Sequence, residues 1–190
     1  FSSHSWSYGA TPGVSWQPVP WTWTDLNYTY SKVQFTDAPQ YPEEDRSGKT
    51  QHVDLRQNFS FPSLIFPNRT TFVAGWLNYV KSDTDGSSYA NKAKGFGLLV
   101  QQEFPADFTF LVSYSYAKTD YENANIRSAT NEKRDDKSQT FSANLFKKLN
   151  MIYTNLSAYL GYRWFKNASN IANYYSYVSQ TYSVGLTLDF

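Results

Sequence analysis

The sequence predicts an all-β chain, an antiparallel up-and-down transmembrane β-barrel read as a single domain over residues 1–190, with roughly eight to ten strands visible. Three observations predict it. Apolar and polar residues alternate over long stretches, placing successive side chains on opposite faces of a strand. Aromatic residues make up 19% of the chain while the mean hydropathy is only −0.58, so there are many rings but no Leu- and Ile-rich core to bury them in. Long hydrophilic connections also alternate with tight turns, an asymmetry that barrels show between their two rims.

The strand-like segments follow in order. Residues 4–17 carry Trp6, Tyr8, Ala10, Val14 and Trp16 on one parity. In 23–36, Leu26, Tyr28 and Tyr30 oppose Asn27, Thr29 and Ser31. In 51–65, Val53, Leu55, Phe59 and Phe61 oppose Asp54, Arg56, Asn58 and Ser60, with Gln57 interrupting the apolar row. The segment 71–82 is apolar on both sides. In 94–103, Phe96, Leu98 and Val100 oppose Gly97 and Gln101. In 108–120, Phe108, Phe110, Val112, Tyr114 and Tyr116 oppose Thr109, Ser113, Ser115 and Ala117, with Leu111 the exception. Segments 138–149, 153–166 and 175–190 repeat the split, the last through Tyr182, Val184, Leu186, Leu188 and Phe190 against Ser183, Gly185, Thr187 and Asp189.

These segments exceed the ~5–6 residues of ordinary globular strands and reach the ~9–11 that cross a bilayer at a tilt. Hydrophilic stretches at 37–50, 82–95, 120–137 and 166–174 hold most of the charged side chains, and short turns fall near 18–22, 67–70, 105–107 and 150–154. Nine segments is an odd number, whereas single-chain bacterial barrels have even counts. Either the first segment is a periplasmic extension beside eight strands, or the chain is the C-terminal part of a larger barrel. The lipid-facing character of Trp6, Tyr8 and Trp16 favours the second.

Composition excludes several chemistries. With no cysteine and only His4 and His52, there is no thiolate site and too few imidazoles for a histidine metal centre, so neither metal nor cofactor is expected. A net charge of +1 points away from nucleic acid. His52 and Asp54 share a parity among abundant serines, but no nucleophile elbow accompanies them, and no catalytic residue or enzyme activity is expected. On the polar parity, Asp54, Arg56, Glu103, Arg163 and Asp189 are read as a charge network lining the lumen. Trp16, Trp21, Trp23, Tyr79, Tyr116 and Trp164 are read as interfacial aromatics at the strand ends.

The terminal YSVGLTLDF resembles the last-strand signature of Gram-negative outer-membrane proteins. That resemblance implies that Tyr182, Val184, Leu186, Leu188 and Phe190 form the signal read by the barrel assembly machinery. Over about the last 60 residues, the chain is similar to barrels coupled to periplasmic helical repeats, the surface lipoprotein assembly modifiers and exopolysaccharide-export barrels. The likeness rests on Arg134 and Asp135, Tyr162, the run Ser169, Asn170 and Ile171, and Tyr175 with Tyr177. It implies a pore or an export or secretion channel component in the outer membrane, in contact with lipid, lipopolysaccharide and periplasmic or other membrane subunits. Two alternatives stand beside it: a small non-conducting barrel that anchors or adheres through its loops, and a secreted carbohydrate-binding β-sandwich.

Overall fold

The computed structural model describes residues 5–36, 41–124, 131–149 and 156–188. The strands are β1 (Ser5–Ala10), β2 (Gly13–Val19), β3 (Thr22–Phe35), β4 (Gly48–Pro62), β5 (Thr70–Thr84), β6 (Asn91–Phe104), β7 (Phe108–Ala124), β8 (Lys133–Lys148), β9 (Leu156–Ser169) and β10 (Tyr177–Leu188), with a turn of α-helix, α1 (Ala172–Tyr175), and 3-10 turns at Pro42–Glu44 and Pro105–Asp107. They form a single antiparallel sheet in which β1 and β2 both pair with β3 and the strands from β3 to β10 pair in sequence order, and the sheet is not closed.

β1 and β2 both lie against β3 and continue one another. Ala10 faces Tyr30 and Gly13 faces Asn27, so the register passes unbroken through Thr11 and Pro12. Thr11 and Thr29 hydroxyls meet at 3.1 Å, and the Tyr28 amide donates to the Pro12 carbonyl at 3.0 Å. Pro12 has no N–H to return, which divides the ladder without displacing it, and an edge strand is where a sheet tolerates such a residue. Counted this way, the nine segments expected from alternation coincide with nine strands.

The pairing sorts the side chains cleanly. Directly opposed residues share a face, and Leu26, Leu55, Leu77, Phe96 and Tyr116 form one row across five strands. On this face Leu77 is 60% exposed, Leu98 52% and Leu160 58%, while the only buried apolar residues among those described are Ala74 and Ala90. An apolar surface spanning a whole sheet far exceeds the few hundred Å² that a soluble monomer leaves open. Lipid is the solvent that removes the cost.

Following the row onward through Gln139 and Lys166 leads to Val178, yet the apolar run of β10 lies further toward its turn end, from Tyr182 to Leu188. The apolar band therefore steps by about one residue per strand. With a rise of ~3.3 Å and a spacing of ~4.8 Å, a level band needs strands inclined by about 35–40°, the inclination of transmembrane barrels.

Strands reach further into the hydrophilic stretches than alternation suggests. β4 starts at Gly48, β5 ends at Thr84, β6 starts at Asn91, and β7 and β8 extend to Ala124 and from Lys133. Cross-strand ion pairs hold these polar extensions together: Lys49–Asp83 at 3.8 Å, Lys92–Glu122 at 2.8 Å and Lys118–Asp135 at 2.9 Å. At the loop rim, the Gly86 and Ser88 amides donate to the carbonyls of Asp45 and Glu43, and Arg46 lies over the Tyr89 ring at 4.9 Å. At the turn rim, Ala106 and Asp107 both have φ near +60°. Ala106 has no side-chain acceptor to offset that conformation. Ala106→Gly is accordingly expected to stabilise the fold by about 0.5–1 kcal/mol, read as a higher denaturation midpoint in detergent.

Candidate functional site

The opposite face of the sheet is built from Ser, Thr, Asn and Gly, with the arginines of the strands among them. A hydrogen-bonded polar chain on it crosses β2, β3 and β4. Ser15 donates to Asp25 Oδ1 at 2.6 Å, Asn58 donates to Asp25 Oδ2 at 2.8 Å, and Arg56 Nε donates to Asn58 Oδ1 at 2.9 Å. Asn58 is almost fully buried, and Asp25 stands directly opposite Arg56. The carboxylate and guanidinium are thus joined through an amide whose own groups are satisfied, the condition for keeping charges in a confined place.

Rings fill the same region. Trp23 packs on Phe72 with centroids 5.7 Å apart, and the Arg56 guanidinium lies over Trp76 at 5.9 Å. Trp76 extends across Gly97, where any Cβ would collide with the indole. Tyr159 lies across Gly185 in the same manner. Glycine at these two positions opens a slot for a neighbouring ring. Gly97→Val is expected to cost about 1–3 kcal/mol by overpacking, and Trp76→Leu in the same chain to recover part of it, measured by denaturant titration of the folded form.

Of the five charges read as a lumen network, Asp54, Arg56, Glu103 and Arg163 do lie on the polar face, but no ion pair joins them among the described residues. Arg56 engages Asn58 instead. Glu103 sits at the turn rim, where its Oε2 accepts the Thr70 amide at 3.0 Å. Arg163 lines a recess of about 410 Å³ with Thr140, Ser142, Asn144, Thr181 and Ser183. Asp189 lies outside the described residues. Asp25 and Asn58 were missed because their role depends on the register between β3 and β4, although parity alone places both on the polar face. His52 and Asp54 share that face, but no hydrogen bond joins them among the described residues, and His52 Nε2 is buried without a partner.

At the loop rim stands a second cluster. Arg134 makes a two-pronged pair with Asp136, through Nε to Oδ1 at 3.0 Å and Nη2 to Oδ2. Its guanidinium lies 3.5 Å from the Tyr175 centroid and 4.5 Å from that of Tyr121. Side-chain exposures of 13% for Arg134 and 8% for Asp136 make this the most enclosed ion pair described. The acid beside Arg134 in sequence, Asp135, points to the other face and pairs with Lys118.

The aromatics divide by face. Trp16, Tyr79, Tyr116 and Trp164 lie on the apolar face, and Trp21 sits in the turn against Phe59 at 6.3 Å. Tyr79, Tyr116 and Trp164 stand at the loop-side margin of the band, and Trp16 and Trp21 at the turn side. Trp23 is on the polar face, because its register partner is Asn58, so it takes no place in an outward girdle. Tyr182, Val184, Leu186 and Leu188 line the apolar face of β10 opposite Tyr162, Leu160, Ala158 and Leu156. Phe190 lies outside the described residues.

The family model described as surface lipoprotein assembly modifier matches residues 2–190. No curated protein and no solved structure matches the chain.

Proposed function

Because the chain belongs to the surface lipoprotein assembly modifier family, whose place is the Gram-negative outer membrane and whose role lies in the assembly of surface lipoproteins, we propose that it forms the wall of an export channel. The apolar face meets lipid, and the polar face is the surface past which a lipoprotein chain moves.

The observation that carries this reading is the separation of the two faces on the strands other than β5. On the outward face each strand is apolar in its middle, while the inward positions outside β5 present mainly hydroxyls, amides and the Arg163 recess. A wall that is wet on one side and oily on the other suits passage of a polar chain across a bilayer. In the same reading, the apolar row of β10 is the signal for the assembly machinery, and Arg56 and Arg163 set the charge of the passage.

The test is surface display. In cells producing the chain with a cognate lipoprotein, added protease is expected to degrade the lipoprotein, and Ser142→Trp with Thr181→Trp, which fill the Arg163 recess, are expected to protect it. A lipoprotein that reaches the surface equally well without the chain would overturn the proposal, as would a folded barrel indifferent to both tryptophans.

A further inference from the structure

Apart from Lys148 at the end of β8, the lysines and arginines of the strands are sorted by face. Arg56, Arg134 and Arg163 are on the polar face, whereas Lys81, Lys92, Lys94, Lys118, Lys137 and Lys166 are all on the apolar face. These six also gather at one level. Each lies at or just above the loop-side margin of the apolar band, and four stand two residues from a margin aromatic on the same face: Tyr79 beside Lys81, Phe96 beside Lys94, Tyr116 beside Lys118 and Trp164 beside Lys166. Two residues along a strand span ~6.6 Å, the step from a ring at the edge of the hydrocarbon to an ammonium at headgroup level, and the lysine stem can lie along apolar surface on the way.

Folding alone does not account for the arrangement. Lys94 is directly opposite Lys118, and Lys118 directly opposite Lys137, so three ammonium groups share one row. Lys81 faces Lys92 and Lys32 faces Lys49 in the same way. Like charges directly opposite one another weaken a sheet. Acids relieve part of this: Lys118 meets Asp120 at 2.8 Å and Asp135 at 2.9 Å, Lys92 meets Glu122 at 2.8 Å, and Lys81 meets Asp83 at 3.0 Å. Lys94, Lys137 and Lys166 are exposed and have no ion pair among the described residues. Among the described residues the opposite rim has no such row, since Lys147 donates to the Ala106 carbonyl and Lys148 is on the polar face.

We propose that this row is a docking belt for the phosphate groups of lipopolysaccharide in the leaflet on the loop side, with Lys94, Lys118 and Lys137 as its centre. Bound phosphates neutralise the ammonium row, while the acyl chains lie on the apolar band directly below. The proposal rests on the reading of the sheet as an outer-membrane wall whose loops face outward.

The test uses the full chain in detergent micelles carrying diphosphorylated lipid A or the same lipid with its phosphates removed. Binding of the phosphorylated form is expected to weaken at least tenfold in K94Q/K118Q/K137Q and to persist in K94R/K118R/K137R. Both variants are expected to keep the unboiled gel mobility that marks a folded barrel. Equal binding by the glutamine variant, or equal binding of the dephosphorylated lipid, overturns the proposal. The orientation is read separately: the chain has no cysteine, so a Ser87→Cys loop variant labelled from outside intact cells supports outward loops. Absence of labelling overturns the outward-loop reading and with it the belt's place in the lipopolysaccharide leaflet, whereas unchanged lipid A binding by the glutamine variant overturns the belt alone.

Discussion

Arg134→Ala is expected to destabilise the loop rim by about 3–5 kcal/mol, because it leaves the Asp136 carboxylate enclosed and without its partner. At 8% side-chain exposure, water cannot replace the guanidinium at Asp136. Tyr121 and Tyr175 would also lose the cation held between their faces. Arg134→Lys restores the charge but neither the fork nor the flat stacking surface, so only partial recovery is expected. The double variant Arg134→Ala/Asp136→Ala should cost clearly less than Arg134→Ala alone, since no unpaired charge remains. The measurement is a double-mutant cycle on unfolding in detergent, with proteolysis near Tyr175 as a local readout. Equal destabilisation by the single and double variants would show that the pair is not the source of the effect.

Leu98→Arg is expected to cost about 2–4 kcal/mol and to lower the yield of assembled barrel, since Leu98 lies in the middle of the apolar band on β6. The paired control is Thr140→Lys on the polar face of β8, opposite Ser115 and Phe165, where a change within about 1 kcal/mol is expected because the ammonium stays in water. The gel shift between boiled and unboiled samples reports the fraction assembled. The contrast between the two variants matters more than either value. Were the sheet one layer of a soluble sandwich with its apolar face packed on protein, Leu98→Arg would produce misfolded or aggregated chain without any dependence on lipid. With lipid as the neighbour, the loss shrinks as the substituted position moves along the strand from Leu98 toward Lys94.

Alternation made the strands legible because it is local: a period of two needs only a few residues, and from Tyr182 to Leu188 it is nearly perfect. The segment between Thr71 and Lys81 resisted the same reading. Its polar-face residues Phe72 and Trp76 are apolar for a reason that lies on other strands, namely the ring of Trp23 and the slot above Gly97. Gln57 looked like a flaw in an apolar row, yet its amide is satisfied by the Thr22 hydroxyl at 2.6 Å and the Trp23 carbonyl at 3.2 Å, with Thr24 donating to its oxygen at 2.5 Å. Polar groups on a lipid-facing surface are tolerated when they satisfy one another. The interior charges were recognisable by type but not by partner. Parity placed Arg56 and Asp54 correctly on one face, whereas the preference of Arg56 for Asn58 over the nearby acid depends on rotamers. The cage around Arg134 was out of reach, since Tyr175 arrives from a helical turn beyond β9.

The two free margins of the sheet, β1–β2 and β10, are its barest backbone. With β1 and β2 taken as one, strand direction reverses at each of the successive pairings, so the first and last strands point the same way. Both margins therefore select for the same guest: a strand travelling from the turn rim to the loop rim is antiparallel to each. A strand of the other sense could join either side only through slanted parallel bonds. The sheet thus carries a directional preference in its backbone alone, independent of any side chain.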